Sequence, residues 1–217
     1  MESNKIRIPD KLTPPIKFAE VQPQLYRGAY PRPVNYRYLE SLQLKTMVAL
    51  LPQPVTLESD ASLFSFCTKN QINLIHVECD GKTKDKGKKR GIPIDHDSVI
   101  RVLEILLDKQ HNPIFIFCNN GGQITSLIVA CLRKLGFWNS VSIFNEFVNY
   151  SSTVNHNDRY FIESFKAKLK LPIVENRVDW IWNGLSKTVI DNHPFITFIE
   201  HDKELHQENA INAIDLK

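Results

Sequence analysis

The 217-residue chain has no apolar run near the ~18–20 residues that a membrane-spanning helix needs. Its first residues, Met1-Glu2-Ser3-Asn4-Lys5, offer neither the hydrophobic stretch of a secretion signal nor a glycine for myristoylation. Cysteine is scarce: four residues, at 67, 79, 118 and 131, with no CxxC pair. That spacing excludes a disulfide framework and a zinc ribbon, and predicts reduced thiols in a cytoplasmic protein. The formal net charge is only +3, and no nucleic-acid-binding motif accompanies it, so no DNA or RNA partner is expected. His76, His96 and His111 lack metal-ligand spacing, which leaves no metal predicted. The chain also lacks internal repeats and low-complexity tracts.

What remains is an ordinary globular composition, 42% hydrophobic and 24% charged, long enough to bury a core. Residues 1–17 are polar and carry prolines at 9, 14 and 15, the pattern of a flexible N-terminal arm. Residues 18–170 read as one α/β domain, and 171–217 as a C-terminal extension, partly docked, with a polar tail expected to be disordered. Thr46–Leu51, Ile72–Val77 and Pro113–Phe117 are short apolar runs suited to buried strands. Between them, Leu57–Lys69 has helical spacing. Val99, Val102, Leu103, Leu106 and Leu107 form the stripe of an amphipathic helix, with Asp97 and Ser98 at its start as caps. Strands alternating with helices predict a central, mostly parallel sheet flanked by helices.

The chemistry concentrates in Phe115-Ile-Phe-Cys118-Asn119-Asn120-Gly121-Gly122-Gln123-Ile124-Thr125. A buried strand runs into a short glycine-containing loop headed by a cysteine, then directly into a helix supported by Ile124, Leu127, Ile128, Cys131 and Leu135. A loop there turns successive N–H groups into one concavity at the positive end of a helix dipole, where an anion and a thiolate are both stabilised. The same spacing also suits a plain strand-to-helix turn.

Longer stretches decide between the two. Leu25-Tyr-Arg-Gly-Ala-Tyr-Pro31-Arg, Leu39-Glu-Ser-Leu-Gln-Leu-Lys-Thr-Met-Val, the lead-in Leu106 to Cys118, Ala130-Cys-Leu-Arg-Lys and Ser142-Ile-Phe-Asn-Glu-Phe occur in fixed order. Together they resemble the fungal and plant atypical dual-specificity phosphatase family, nearest its fungal tyrosine-phosphatase-like proteins linked to oxidant-induced cell-cycle arrest. The resemblance implies a single cysteine-phosphatase, dual-specificity phosphatase-like domain that needs no cofactor. It places Cys118 as nucleophile, residues 119–124 as the phosphate loop and Thr125 as the hydroxyl that follows it. For the general acid it points to Asp95; a one-residue offset leaves Asp97 open, and Asp80 is a third candidate. Either Asp95 or Asp97 also suits a helix cap.

The departures are as informative. The family loop reads His-Cys, five residues, Arg, then Thr or Ser; this chain has Phe117 for the histidine and Ile124 for the arginine. That arginine would give a planar fork to two phosphate oxygens and follow the charge onto the transition state. Losing one such donor costs about 2.7–4 kcal/mol, roughly 10²–10³ in rate. Without the cation Cys118 is also a weaker nucleophile. A basic run, Lys82 to Arg90, sets six bases against one acid. Its end, Lys88, Lys89 and Arg90, is positioned as an electrostatic funnel for a highly charged ligand, although such runs are also common as solvated insertions.

These features predict a family member with a degenerate loop. It would be a pseudophosphatase or phospho-ligand-binding subunit, beside related phosphatase-fold proteins in a hetero-oligomer, with a phosphorylated small molecule as ligand. The alternative is an active phosphatase hydrolysing phosphotyrosine or an inositol pyrophosphate through a Cys118 phospho-enzyme. Its cation would come from Lys88, Lys89, Arg90 or a neighbouring subunit.

Overall fold

The computed structural model describes residues 12–80 and 91–200. The sheet at its centre is built from β1 (Ala19–Gln22), β2 (Leu25–Ala29), β3 (Thr46–Leu51), β4 (Asn73–Glu78) and β5 (Ile114–Cys118). Their order is β1-β2-β5-β3-β4. β1 pairs antiparallel with β2 at the edge, and every other pairing is parallel. This is the α/β architecture expected from the alternation of strands and helices.

All six residues of β3 and all five of β5 are buried, as befits parallel strands covered on both faces. The pleat sends their side chains alternately to the two faces. Met47, Ala49, Leu51, Phe115 and Phe117 point to one face, against Leu39 of α1 (Pro33–Ser41) and Leu63, Phe66 and Cys67 of α2 (Ala61–Lys69). Val48, Leu50, Ile114, Ile116 and Cys118 point to the other. That face is covered by α3 (His96–Leu107), α4 (Gln123–Leu135), α5 (Ser140–Ser151) and α6 (His156–Ser164). The stripe Val99, Val102, Leu103, Leu106 and Leu107 is fully buried on α3. Among the described residues no helix is long and apolar enough to cross a membrane.

One segment differs from the sequence expectation, and a second, expected to dock in part, does so through its own strands. Residues 12–17, assigned to a flexible arm, are tied to the domain: Pro15 is buried, the Ala29 N–H donates to the Ile16 carbonyl at 2.8 Å, and the Phe18 N–H to that of Pro15 at 3.2 Å. Phe18 anchors the turn by packing on Tyr26, Tyr38 and Phe115. Beyond residue 170 the weak pattern hides real structure. β6 (Ala167–Leu171) pairs in parallel with β7 (Ile196–Glu200), and a short helix, α7 (Lys187–Asp191), lies between them. Leu169, Ile181, Trp182 and Ile196 join the larger core cluster, and the Trp182 indole donates to the Leu135 carbonyl at 2.9 Å.

His193 holds the last turn before β7. Its Nδ1 accepts from the Phe195 N–H at 3.2 Å and its ring sits 4.3 Å from that of Phe137. Burial, aided by the nearby Lys134 ammonium, pushes the imidazole below its ordinary value of 6.5. With the folded value below the unfolded one, the unfolded chain binds the extra proton first. Stability contributed by neutral His193 is therefore present above pH 6.5 and lost as pH falls through that value toward the folded one. Amide exchange in residues 186–200 is expected to be faster at pH 5.5 than at 7.5, after correction for intrinsic rates. Equal protection at both would contradict this.

Candidate anion-binding loop

Cys118 is the last residue of β5, the middle strand, with Ala29 of β2 and Leu50 of β3 as its neighbours in register. The loop after it therefore opens at the carboxyl end of the parallel strands, where ligands of open α/β sheets bind. Cys118 is only 1% exposed. Residues 119–122 connect it to α4, whose N-cap is Gly122. Gly121 has φ +62°, and a Cβ there would lie 2.6 Å from the Ala29 nitrogen, so the loop rests directly on the β2 backbone and needs glycine at this point.

The loop satisfies part of its own hydrogen-bonding capacity. Asn120 Oδ1 accepts from the Gly122 N–H at 2.9 Å, which fixes the amide orientation, and it also accepts from the Cys118 S–H at 3.7 Å. A carboxamide oxygen thus occupies a position facing two donors.

The other loop positions are engaged differently. Gln123 Nε2 donates to the Gly91 carbonyl at 2.9 Å and to Asp158 Oδ1 at 2.7 Å, a tie to α6. Ile124 packs against the larger core cluster. Thr125 is fully buried, and its Oγ1 has no hydrogen-bond partner among the described residues. Phe117 points to the sheet face opposite Cys118 and packs edge-on against Tyr30 at 5.5 Å. Its substitution for histidine therefore alters the core under α1 and α2, and places no new side chain in the loop.

Two cations unassigned in the sequence reading approach the loop. Arg27, 1% exposed on β2, donates through Nη2 to the Gly121 carbonyl at 3.3 Å and to Ser126 Oγ at 2.7 Å. Its guanidinium lies 3.7 Å from the Tyr150 ring centre. Burial lowers its pKa to about 10, still high enough to keep it charged at neutral pH. Its Nε and Nη1 have no hydrogen-bond partner among the described residues. The second cation is Lys17, whose Nζ lies 3.3 Å from the point a Cβ on Gly122 would occupy. Arg27 stood in the sequence only as a member of the block Leu25-Tyr-Arg-Gly-Ala-Tyr-Pro31-Arg. Lys17 carried no sequence signal.

Asp95, the candidate acid, caps α3: Oδ1 accepts from the Ser98 N–H at 2.6 Å. That bond, foremost, holds its carboxyl below the usual carboxylate range. Asp97 lies in the first turn of α3 and does not cap it. Asp80 and Asp95 share a surface depression with Glu78, Ser98 and Arg101, to which neither Cys118 nor its loop contributes. Cys79, buried beside this region, has its thiol pushed up to about 12, chiefly by burial. Lys88, Lys89 and Arg90 lie outside the described residues. No group of three or more His, Cys, Asp or Glu side chains suited to a metal occurs among the described residues.

Comparison with known proteins follows the same lines. The chain is 41% identical over 179 residues to "Putative tyrosine-protein phosphatase OCA6" of Saccharomyces cerevisiae, covering 78% of this chain and 79% of that one. It is 33% identical over 157 residues to "Inositol diphosphatase DSP3" of Arabidopsis thaliana, covering 72% and 73%. Among solved structures, the core catalytic domain of the PP-IP phosphatase SIW14 from S. cerevisiae, in complex with citrate, superposes with a TM-score of 0.62. Identity there is 30%, covering 70% of this chain and 87% of that one. Residues 12–185 match the pattern of the tyrosine phosphatase family, and with these likenesses in sequence and fold the chain belongs to that family.

Proposed function

We propose that this protein is a cytoplasmic phosphatase-fold subunit that binds a phosphorylated small molecule of the inositol pyrophosphate class without hydrolysing it. The observation that carries this reading is the state of the loop. It keeps its length and its place at the start of α4, but Ile124 stands where a cation is needed and the Cys118 thiol donates to Asn120 Oδ1. Amides at the start of a helix still favour an anion, so binding survives where turnover does not. Asp95 supports the same conclusion. Its Oδ1 is engaged as the cap of α3 by the Ser98 N–H at 2.6 Å, and the depression it lines includes neither Cys118 nor its loop. The ligand class is suggested by the inositol diphosphatase and PP-IP phosphatase relatives.

Calorimetry with an inositol pyrophosphate, paired with phosphate-release assays on the wild type and Cys118→Ser, tests the reading. Saturable binding with no Cys118-dependent release is expected; release by the wild type that Cys118→Ser abolishes would overturn it. Because Asn120 Oδ1 competes with the ligand for the Gly122 N–H, Asn120→Ala should tighten binding by about fivefold, the worth of one ordinary hydrogen bond. Unchanged or weaker binding would argue that the Asn120 carboxamide is not in the ligand's place. In this reading the subunit acts beside active relatives of the same fold in a hetero-oligomer. Affinity capture that recovers no such relative would remove that part of the proposal.

A further inference from the structure

Lys17 sits in the turn that Pro15, Phe18 and the Ile16–Ala29 hydrogen bond fasten to the end of β2, the strand whose Ala29 lies beside Cys118 in register. Its φ is +56°, a left-handed conformation that glycine or asparagine adopts more cheaply than a long side chain. Six other non-glycine residues among the described ones share this region, Gln24, Gln43 and Gln71 among them, so the position of the ammonium carries the argument. Nζ reaches to 3.3 Å from the point where a Gly122 Cβ would be, and Asn120 Oδ1 is 2.9 Å from the same point. Lys17 has no ion pair or hydrogen bond to a described residue. Its charge therefore stands beside the loop without an acidic partner among the described residues.

A second feature points to the same place. Arg27 is buried, reaches Gly121 through one nitrogen, and keeps two others unpartnered among the described residues. Buried charges in folded proteins are paired or fully hydrogen-bonded. Stacked at 3.7 Å on the Tyr150 ring and anchored to Gly121 and Ser126, this guanidinium leaves positive potential beside the loop. The neighbourhood thus holds two cations, an amide and a thiol, and the acceptor now facing those last two donors is the oxygen of Asn120.

We propose that Lys17 is the phosphate-binding cation of this loop, in the place of the missing arginine, and that it contacts the terminal phosphoryl oxygens of a phosphate or pyrophosphate ligand. The proposal rests on the anion-binding reading of the loop given above and names the residue that makes it work. It also explains why binding and catalysis separate here. An ammonium is a mobile point charge that neutralises an anion from one side. It lacks the planar fork that holds two oxygens while charge redistributes in the transition state. Arg27 acts as a positioning residue, holding the Gly121 carbonyl and adding positive potential.

The test is calorimetry with inorganic pyrophosphate on full-length wild type, Lys17→Met, Lys17→Arg and Gly122→Val, with thermal midpoints recorded for each. Losing one charge-assisted contact should weaken Lys17→Met about 10- to 100-fold, with little change in midpoint and a shallower salt dependence. Lys17→Arg should bind within about threefold of the wild type, since it restores the charge. Gly122→Val, which fills the point where Asn120 and Lys17 converge, should abolish binding. Wild-type binding that survives Lys17→Met within twofold would reject Lys17 while leaving the anion loop intact. Equal losses in Lys17→Met and Lys17→Arg would show that the turn, not the charge, matters, and would also reject it. Binding retained in Gly122→Val would place the anion elsewhere on the chain and reject it as well. A wild type that binds no pyrophosphate would overturn this proposal; the function on which it rests falls only if an inositol pyrophosphate is not bound either.

Discussion

Ile124→Arg should raise kcat/KM for an aryl phosphate by about 10²–10³ over the wild type, the usual worth of one transition-state donor. Position 124 is the second residue of α4, next to the loop amides, and its side chain is only partly buried. An arginine can therefore leave the core edge and turn its fork toward the loop at small cost in packing. Phosphate drawn in by that fork would displace Asn120 Oδ1, freeing the Gly122 N–H and the Cys118 thiol together. Asp95 would remain engaged with Ser98, so the gain should be largest for substrates whose leaving group needs no proton, such as p-nitrophenyl phosphate. It should be small for alkyl phosphates. Adding Cys118→Ser to Ile124→Arg must return the rate to the wild-type baseline if the gained activity passes through the thiol. Wild-type and Ile124→Arg rates that coincide would mean the loop lost more than its arginine.

How much of this was legible before the structure depends on whether a feature is local. β3 and β5 were visible because burial on both faces leaves uninterrupted apolar runs. The α3 stripe was visible because a helix buries every third or fourth residue. β6 was less so: its alternation is clean, but its parallel partner β7 begins at Ile196, too far along the chain for any local pattern to join them. The cap of α3 was assigned among three adjacent candidates, and the choice of Asp95 is made by backbone geometry, with ψ +168° at the residue where the helix begins. Phe117 illustrates a different failure. Read as a motif letter, its exchange for histidine looks like damage to the loop. Read as a strand residue next to Cys118, the period-two rule already sends it to the opposite face. The site's missing charge was plain in the sequence. The compensating cations were not, because Arg27 and Lys17 meet the loop only through the parallel pairing of β2 with β5 and the turn fastened to it.

The same pairing makes Gly121 the most sensitive position of the loop. Gly121→Ala should destabilise the protein by about 2–5 kcal/mol, from ~1–2 for a left-handed non-glycine residue and ~1–3 for overpacking. The clash cannot relax through a side chain. The added Cβ would meet the Ala29 nitrogen at 2.6 Å, the Gly28 carbonyl carbon at 2.7 Å and its oxygen at 2.9 Å, all backbone. Relief requires the loop to lift from β2, and lifting it breaks the Arg27 contact to the Gly121 carbonyl. Stability and anion binding should therefore fall together in this variant. In Gly122→Ala the contacts are with Asn120 and Lys17 side chains, which can swing aside, so binding should fall while stability barely changes. Chemical denaturation of the two variants, read beside their affinity for pyrophosphate, checks the contrast. A Gly121→Ala protein as stable as the wild type would mean that the loop does not rest on β2 as described, and with it would go the basis for linking Arg27 to the anion site.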